Sequence, residues 1–420
     1  MKKKLIEKPL EYWEEKSYMM VVPPKYDDDF LKTSIERLSQ SKYFKVVDTD
    51  YEINGVINVK VKYDKEEYDI GFYTGGISVP DYYLYKNFLF TDEEKESLLA
   101  AKQAITIFME FKDDVKKSFQ LQLKVANTLI PDLIGVLDES AEKMLPAKWV
   151  MMIASSKVLP SARDLFTVQA VQGKHDKVWL HTHGLCRCHT TELEILESDK
   201  KHYEQHYNLL STYAMYLIDK SGLDDPRYNG AYIGRLINGY PVVVTCAPWT
   251  DGILEYKKAK LGNIKDRENG HNTRTSIVFL YTSEEEEKNH KLRLVSLYDE
   301  LWGENPIFFF SDEETNRMRD LARERISYVK ESFKDKENAI LIKIGLPLKE
   351  EGRFEHIWFE LLEIKGNKFK CKLTQEPYDI PDMHTGDEDW YTLDDMTDWI
   401  IYTKDFAVSP SNAYLLEENR

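Results

Sequence analysis

The stretch WLHTHGLCRCHTTELEIL, from Trp179 to Leu196, carries the pattern that decides the fold. In its second half, Glu192 and Glu194 alternate with leucine and isoleucine, which is the period of a β-strand with one polar and one apolar face. Its first half belongs to the longer strand-like run KVWLHTHGL. A turn through residues 184–190 would bring the two strands together, so the stretch predicts part of a sheet.

The neighbouring segments extend this pattern into a central mixed unit, residues 113–333. A short turn, residues 173–176, joins KVWLHTHGL to the preceding predicted strand TVQAVQ. Helical spacing predicts a long helix over about 199–220. Runs rich in β-branched residues predict further strands at 241–246 and 276–281.

Residues 1–112 predict a smaller unit of the same mixed kind. Alternating apolar and polar residues predict a hairpin over 57–72. Asp27–Asp29 precede a run with helical spacing, and acidic residues suit a helix N-terminus. Thr91 and Glu94 match a capping box in front of SLLAAKQAITIFMEF, so we expect that segment to form an amphipathic helix.

The charged residues 334–338 predict a linker, and residues 334–420 form the third predicted domain. ILIKIGLPL, HIWFELLEI and KFKCKLT alternate like strands, with turn residues between them. The predicted fold class is therefore α+β. Two mixed units with mainly antiparallel sheets fill the first 330 residues, and a small β-rich domain ends the chain.

Two groups of motifs resemble known families. HTHGL followed by ELEIL resembles an uncharacterised bacterial family of long cytoplasmic proteins. The tail, with HIWFELLEIKGNKFKCKLTQEPYDIP, the pair Gly386-Asp387 and DDMTDWIIY, is similar to a short bacterial domain of unknown function that often ends larger proteins. The resemblance implies the division into domains and implies no particular activity.

Charge and composition exclude several classes of function. The net charge of −16 and the pI near 5.2 disfavour nucleic-acid binding, because an acidic protein repels phosphate backbones. The sequence contains no apolar run long enough to span a membrane and no export signal at its start. Four cysteines without a disulfide-like spacing fit a reducing compartment, so we expect a cytoplasmic location.

The density of histidines marks the candidate site. Six of the ten histidines lie within 32 residues: His175, His181, His183, His189, His202 and His206. On a strand, His181 and His183 point the same way, and an extended ELEIL places Glu192 and Glu194 on one face. Two imidazoles with one or two carboxylates would suit zinc or another divalent transition metal with open positions.

Two other interpretations of these residues stay open. Thr191 and Glu194 also match a capping box, and a helix beginning there would turn the two carboxylates about 200° apart. The histidines could instead form hydrogen bonds inside a packed sheet beside Trp179. In that case the glutamates would be the solvent face of an edge strand.

Two further sets of ligand types are present. Cys186, Cys188 and His189 are a second-choice metal set, although Cys-x-Cys lacks the spacing of structural zinc sites. The segment HYEQH, residues 202–206, puts two histidines on one face of a helix. A zinc protease would need glutamate directly after the first histidine, and Tyr203 stands there.

On the tail, the candidate partner-binding residues are Trp390, Tyr391 and Trp399. Aromatic side chains on a small β domain can stack on a partner, and the acidic residues around them favour a basic protein. A small-molecule ligand is the less favoured partner.

Two functions are therefore expected. The first is a non-enzymatic, cytoplasmic bacterial protein that binds another protein, of which an immunity protein is one example, with no cofactor. The alternative is a metal-dependent hydrolase that uses His181 and His183 with Glu192 or Glu194. In that case the metal would polarise a carbonyl or phosphoryl group, and the second carboxylate would act as general base.

Overall fold

The computed structural model describes most of the chain. The described residues are 16–26, 30–51, 55–84, 90–173, 176–220, 225–236, 239–256, 259–270, 272–301, 307–308, 311–349 and 353–419. Two sequence-based expectations, the acidic helix start at Asp27–Asp29 and the first histidine of the cluster, His175, lie outside these residues.

Seven strands in the first part of the chain form one sheet. They are β1 (Ser17–Val22), β2 (Lys45–Tyr51), β3 (Ile57–Tyr63), β4 (Glu66–Gly76), β5 (Gln103–Met109), β6 (Gly135–Asp138) and β7 (Lys143–Pro146). Their order is β2-β3-β4-β5-β1-β6-β7, and neighbouring strands are antiparallel. The inner strand β1 is apolar along most of its length because both of its faces are buried.

Helices cover both faces of this first sheet. They are α1 (Phe30–Leu38), α2 (Asp92–Ala100), α3 (Val115–Leu129) and α4 (Ala147–Ser155). Met19 and Val21 share a core with residues of α1 and α3, whereas Met20 and Val22 share a core with Leu98 of α2. The alternation of β1 side chains thus divides them between two apolar layers.

The helix expected for residues 97–111 is wrong in its second half. The capping box of Thr91 and Glu94 is present, but α2 ends at Ala100, and β5 follows at residue 103 between β1 and β4. Isoleucine and threonine dominate this segment, and branched side chains pack well in a central strand. Burial on both faces therefore overrides the apparent helical spacing.

Seven more strands form a second sheet. They are β8 (Thr167–Gln172), β9 (Lys177–His183), β10 (Glu192–Asp199), β11 (Ala231–Arg235), β12 (Pro241–Pro248), β13 (Thr275–Tyr281) and β14 (Ile307–Phe308). The order is β14-β11-β12-β13-β10-β9-β8, and among these pairs β10 and β13 run parallel while the others are antiparallel. The expected pairing of HTHGL with ELEIL is confirmed, and no helix begins at Thr191.

Different layers cover the two faces of the second sheet. The helices of this part are α5 (Tyr203–Asp219), α6 (Trp249–Gly252) and α7 (Glu284–Lys288). Helix α5 shares the main core with Leu193 and Ile195 of β10. On the opposite face, Trp179 and Leu196 pack with Trp249 and with partly buried side chains of the 250s and 260s. The histidine face of β9 is therefore covered by an irregular loop layer.

The chain divides into two compact units, Met1–Ala154 with Pro160–Phe309, and Ser155–Leu159 with Phe310–Arg420. Both sheets described so far belong to the first unit. The structure therefore divides the chain at other residues than the sequence predicted. Strands β6 and β7 join the first sheet, so the predicted boundary at residue 112 lies between strands of the same sheet. The second unit also starts before the expected linker at 334.

The second unit has the β-rich sheet expected of the tail. Its strands and helices are α8 (Asp312–Glu324), α9 (Ile326–Ser332), β15 (Ala339–Pro347), β16 (Phe354–Lys365), β17 (Lys368–Leu373), β18 (Glu388–Thr392), β19 (Met396–Tyr402) and β20 (Ala407–Val408). The strand order is β18-β17-β16-β15-β19-β20, with all pairs antiparallel. The fold class α+β is confirmed.

Two of the three expected partner-binding residues are core residues, which corrects that expectation. Trp399 is fully buried, and its indole N–H donates to the carbonyl of Ala322 in α8 at 3.0 Å. Tyr391 is also buried and packs on Phe359 with ring centres 5.0 Å apart. A domain of this size uses its large aromatic side chains to fill the core. Only Trp390 is partly exposed.

Among the described helices, none combines the length and apolarity needed to cross a membrane.

Candidate functional site

The structure places three of the four sequence-predicted metal ligands, His181, His183 and Glu194, on one face of the neighbouring strands β9 and β10. Glu194 lies directly opposite His181 in the ladder, and the ring centres of His181 and His183 are 5.0 Å apart. Nδ1 of His183 lies 3.4 Å from Oε1 of Glu142. The role of the four residues depends on what the two glutamates contact.

The carboxylate of Glu194 is fully buried and engaged by protein donors. One oxygen accepts from the Arg267 guanidinium at 2.7 Å and from the Thr275 hydroxyl at 2.8 Å, and the other accepts from the indole of Trp179 at 2.8 Å. Burial raises the pKa of Glu194, although all three partners act to lower it. Arg267 also lies over the ring of Trp249. These contacts give Glu194 a structural role in attaching the loop layer to the sheet.

Glu192 holds the turn that follows β9. Its Oε1 accepts from the backbone N–H groups of Gly184, Leu185 and Cys186 at 2.8, 2.7 and 3.1 Å, and its Oε2 accepts from the Thr182 hydroxyl. Gly184 has a φ of 109°, and a Cβ there would lie 2.5 Å from a backbone oxygen. This turn needs both the glycine and the carboxylate.

The second-choice metal set lies in one short turn after β9, where its members are engaged in other contacts. The Cys188 thiol is fully buried and lies 3.5 Å from the Gly184 carbonyl, and burial raises its pKa to about 12. His189 donates from Nε2 to the carbonyl of Phe111 at 3.0 Å. Cys186 is buried in the same turn. The CRCH segment thus packs against the first sheet.

Arg187, between the two cysteines, joins the two sheets of the first unit. Its guanidinium forms two bonds of 2.7 and 2.8 Å with the carboxylate of Asp138 in β6, and both side chains have no solvent exposure. It also donates to Ser17 of β1 and lies near the rings of Phe111 and Phe119. The CRCH part of the stretch therefore contributes to the contact between the sheets through Arg187 and His189.

A different group of residues brings ligand atoms together in a way that could hold a metal ion. One ligand atom from each of Asp199, His202 and Asp299 lies within 4.8 Å of the others. Nδ1 of His202 is 3.1 Å from Oδ1 of Asp199 and 3.4 Å from Oδ2 of Asp299. Ligands bound at about 2.0–2.2 Å from one ion lie about 3 to 3.5 Å apart, so this spacing suits a divalent cation.

His206 forms a hydrogen bond with one member of this group, Asp299. Its Nε2 donates to Oδ1 of Asp299 at 2.9 Å, and its Nδ1 accepts from the Ser198 hydroxyl at 2.8 Å in the neutral ring. The side chain is 2% exposed, so the ring is fixed. A histidine that orients a ligating carboxylate in this way belongs to many metal sites.

The local fold explains why these residues meet. Asp199 ends β10, His202 precedes the first residue of α5, and His206 lies one turn further along that helix. Although burial opposes its charge, hydrogen bonds from the His202 backbone and ring lower the pKa of Asp199. Asp299 comes from a distant part of the chain, directly after a short 3₁₀ turn.

A cavity of about 370 Å³ adjoins this group, with Asp199, His206 and Asp299 in its wall. A β-bulge between Ile195 and Ser198 widens β10 at this point, and Glu197 within it has a φ of 56°. Bulges and left-handed non-glycine residues are concentrated near functional sites. We name Asp199, His202, His206 and Asp299 the Asp-His cluster.

Part of the Asp-His cluster could be predicted from the sequence. The HYEQH pattern indicates two histidines on one helix face, and the structure places both of them in the cluster. The contribution of Asp299 could not be predicted, because no local sequence pattern indicates that residue 299 lies next to residue 202 in the fold. The structure also turns both histidines inward, so they do not form an exposed edge of α5.

Together, these features define a multidomain α+β protein. The chain carries both domains of the DUF4026 family, a protein family of unknown function: the N-terminal model matches residues 17–160 and the C-terminal model matches residues 168–279. A DUF2314 domain, described as an uncharacterized protein conserved in bacteria, follows at residues 307–410. The resemblance seen in the sequence is confirmed. No curated protein and no solved structure matches the chain.

Proposed function

We propose that the chain binds a divalent transition-metal ion at Asp199, His202 and Asp299 and acts as a metal-dependent hydrolase on a small molecule in the adjoining cavity. The observation that carries this proposal is the convergence of the three ligand atoms within 4.8 Å beside that cavity. The metal-dependent hydrolase was the alternative function expected from the sequence. We now assign its metal to the Asp-His cluster in place of His181, His183, Glu192 and Glu194.

The donor set supports a catalytic type of metal site. One imidazole and two carboxylates are the ligands that zinc, manganese and iron(II) accept. Three protein ligands leave positions open for substrate and water, whereas a structural zinc site is closed by four. A bound ion would supply a Lewis acid beside the cavity. His206 would keep Asp299 oriented, through the 2.9 Å bond described above.

Metal content of purified variants tests the proposal. The full chain is stripped with chelator and reloaded with zinc or manganese, and bound metal is measured by plasma mass spectrometry. We expect about one ion per chain in the native protein and a loss of it in His202→Ala and in Asp299→Asn. His290→Ala, which removes an exposed histidine of the same unit, is the matched control and should keep the ion.

A second variant separates the two candidate sets. His181→Gln with His183→Gln leaves the Asp-His cluster intact and should keep the metal. Loss of metal in this variant alone would favour the set predicted from the sequence. A native chain that takes up no metal after reloading would overturn the proposal. Circular dichroism on each variant separates loss of ligands from loss of fold.

Protein binding in the cytoplasm is the second candidate function, and the outer strand β18 supports it. Trp390 is partly exposed there, next to the exposed carboxylates of Glu388 and Asp389, and the Lys365 ammonium lies 4.8 Å from its ring centre. Glu388 is paired with Lys370, so Asp389 is the neighbouring carboxylate left for a basic partner. Titration with a lysine-rich peptide should change tryptophan fluorescence in the native chain and not in Trp390→Phe. Equal responses of the two would argue against this surface.

A further inference from the structure

We propose that His206 is a specificity-determining residue of the Asp-His cluster and makes the site select zinc over calcium. This inference rests on the metal site proposed above. It adds which ion the site accepts and which residue besides the three ligands decides this. It is carried by the hydrogen bonds that already engage one oxygen of each aspartate.

The bond from His206 occupies one of the two carboxylate oxygens of Asp299. Nε2 of His206 donates to Oδ1 of Asp299 at 2.9 Å, whereas Oδ2 is the oxygen that lies 3.4 Å from Nδ1 of His202. A carboxylate oxygen that accepts a hydrogen bond has one lone pair fewer and a weaker negative charge to offer a cation. Coordination of an ion through Oδ2 alone is therefore favoured over coordination through both oxygens.

The ring of His206 is held in the position that this bond requires. The side chain is 2% exposed, and the Ser198 hydroxyl donates to its Nδ1 at 2.8 Å. With Nδ1 as an acceptor, the neutral ring carries its proton on Nε2, the atom that faces Asp299. The backbone N–H of His206 also donates to the carbonyl of His202 at 3.0 Å, one turn earlier in the chain. The same helical turn therefore fixes both histidines relative to each other.

Asp199 is engaged in a similar way by the backbone. Its Oδ1 accepts the N–H groups of Lys201 and His202, both at 3.0 Å. These two bonds belong to the turn between β10 and α5, so they form together with the local fold. Each aspartate thus has one oxygen engaged by N–H donors. In Asp299 the donor is a side chain, which a substitution can remove without changing the backbone.

Calcium and zinc differ in what they require from carboxylates. Calcium takes about six to eight oxygen ligands and often binds both oxygens of one carboxylate. Zinc takes about four ligands, accepts an imidazole and can bind a carboxylate through one oxygen. The bond from His206 to Oδ1 of Asp299 therefore withholds an oxygen that calcium would use and leaves the oxygen that zinc needs.

The ratio of the calcium and zinc dissociation constants tests the inference. Both constants are measured on the stripped full chain by competition with a fluorescent chelator. Loss of a residue that orients a metal ligand weakens metal binding about 10- to 100-fold, so His206→Leu should weaken zinc binding by about tenfold or more. Calcium binding should not weaken, because Oδ1 of Asp299 becomes available to it. We therefore expect the ratio to fall by about tenfold or more in this variant.

Further variants separate selectivity from loss of structure. His206→Gln offers an amide N–H donor in place of Nε2 and should recover most of the native ratio. Ser198→Ala removes the other hydrogen bond of the same buried ring and leaves Nε2 to Asp299, so the ratio should stay close to the native one. His202→Ala shows how much of either ion binds elsewhere on the chain. Circular dichroism on each variant checks that it is folded.

The outcomes distinguish this inference from the metal site itself. If His206 had a structural role alone, its loss would weaken zinc and calcium binding by the same factor. An unchanged ratio in His206→Leu would therefore overturn the inference and leave the metal site standing. A native chain that binds the two ions equally well would do the same. A native chain that takes up neither ion at Asp199, His202 and Asp299 would overturn both proposals.

Discussion

Glu194 and Arg267 form a buried ion pair. Removing first the cation and then the carboxylate shows how much of the pair's effect on stability comes from the buried charge. In Arg267→Met the carboxylate of Glu194 stays buried without its counter-ion, so we expect a loss of about 3–5 kcal/mol in the free energy of unfolding. Adding Glu194→Gln removes the stranded charge and should recover most of that loss. Urea unfolding followed by tryptophan fluorescence measures both.

The double variant decides how this pair is interpreted. If it were as unstable as the single variant, the loss would come from packing of Arg267 on Trp179 and Trp249, whose rings lie near its guanidinium. Full or nearly full recovery would show that the buried charge dominates. In that case Arg267 acts mainly as the counter-ion of Glu194, and the carboxylate of Glu194 is neutralised by the protein itself.

At the scale of elements, the start of α7 is expected to respond to pH. Hydrogen bonds from Arg293 and then Thr282 lower the pKa of Glu286 to about 2. Because the pKa is lower in the folded chain, this carboxylate stabilises the fold above its unfolded pKa, near 4.5. The stabilisation is lost as pH falls from there towards 2.

Glu286→Gln tests this directly. The urea midpoint of the variant should lie below that of the native chain at pH 6, and the difference should shrink as pH falls from 4.5 towards 2. Glu284→Gln, an exposed position in the first turn of the same helix, is the control and should show no such convergence. A difference that stays constant with pH would show that Glu286 acts through shape and not through charge.

Elements with regular spacing were the predictable part of this fold. Strands β9 and β10 and helix α5 followed from alternation and helical spacing, because their side chains report directly which face is buried. Strand β5 could not be predicted from the sequence, because its burial on both faces is imposed by neighbours distant in sequence. The position of Asp299 beside His202 could not be predicted for the same reason, since a residue contributed by a loop has no local pattern.

The candidate site shows the same limit at the level of side chains. The sequence predicts that His181, His183, Glu192 and Glu194 share a face. The ladder places Glu194 opposite His181, whereas the Glu192 carboxylate bonds Thr182 and the turn. It contains no information on the hydrogen-bond donors that surround the two glutamates, because Arg267 and the N–H groups of the turn reach them only in the folded chain. Residue type and spacing thus indicated the histidine-rich segment. Only the tertiary contacts distinguish the set with His181 and His183 from the Asp-His cluster.

At the scale of the whole molecule, Arg187 and Asp138 are expected to make the two sheets of the first unit unfold together. In Arg187→Met, Asp138 is left buried without a counter-ion, and β1 loses a hydrogen bond at Ser17. Hydrogen exchange should therefore accelerate in β5 and in β10 by similar factors. Strand β15 of the second unit serves as the reference. Faster exchange confined to residues near 187 would show that the sheets open independently.

The same ion pair has a consequence for inheritance. The matches to the DUF4026 domains place Asp138 in the N-terminal domain and Arg187 in the C-terminal one. A recombination event that separated the two coding regions would leave each product with an uncompensated charge in its interior. Selection against such products would keep the two regions on one gene, so we expect lineages to gain or lose them jointly.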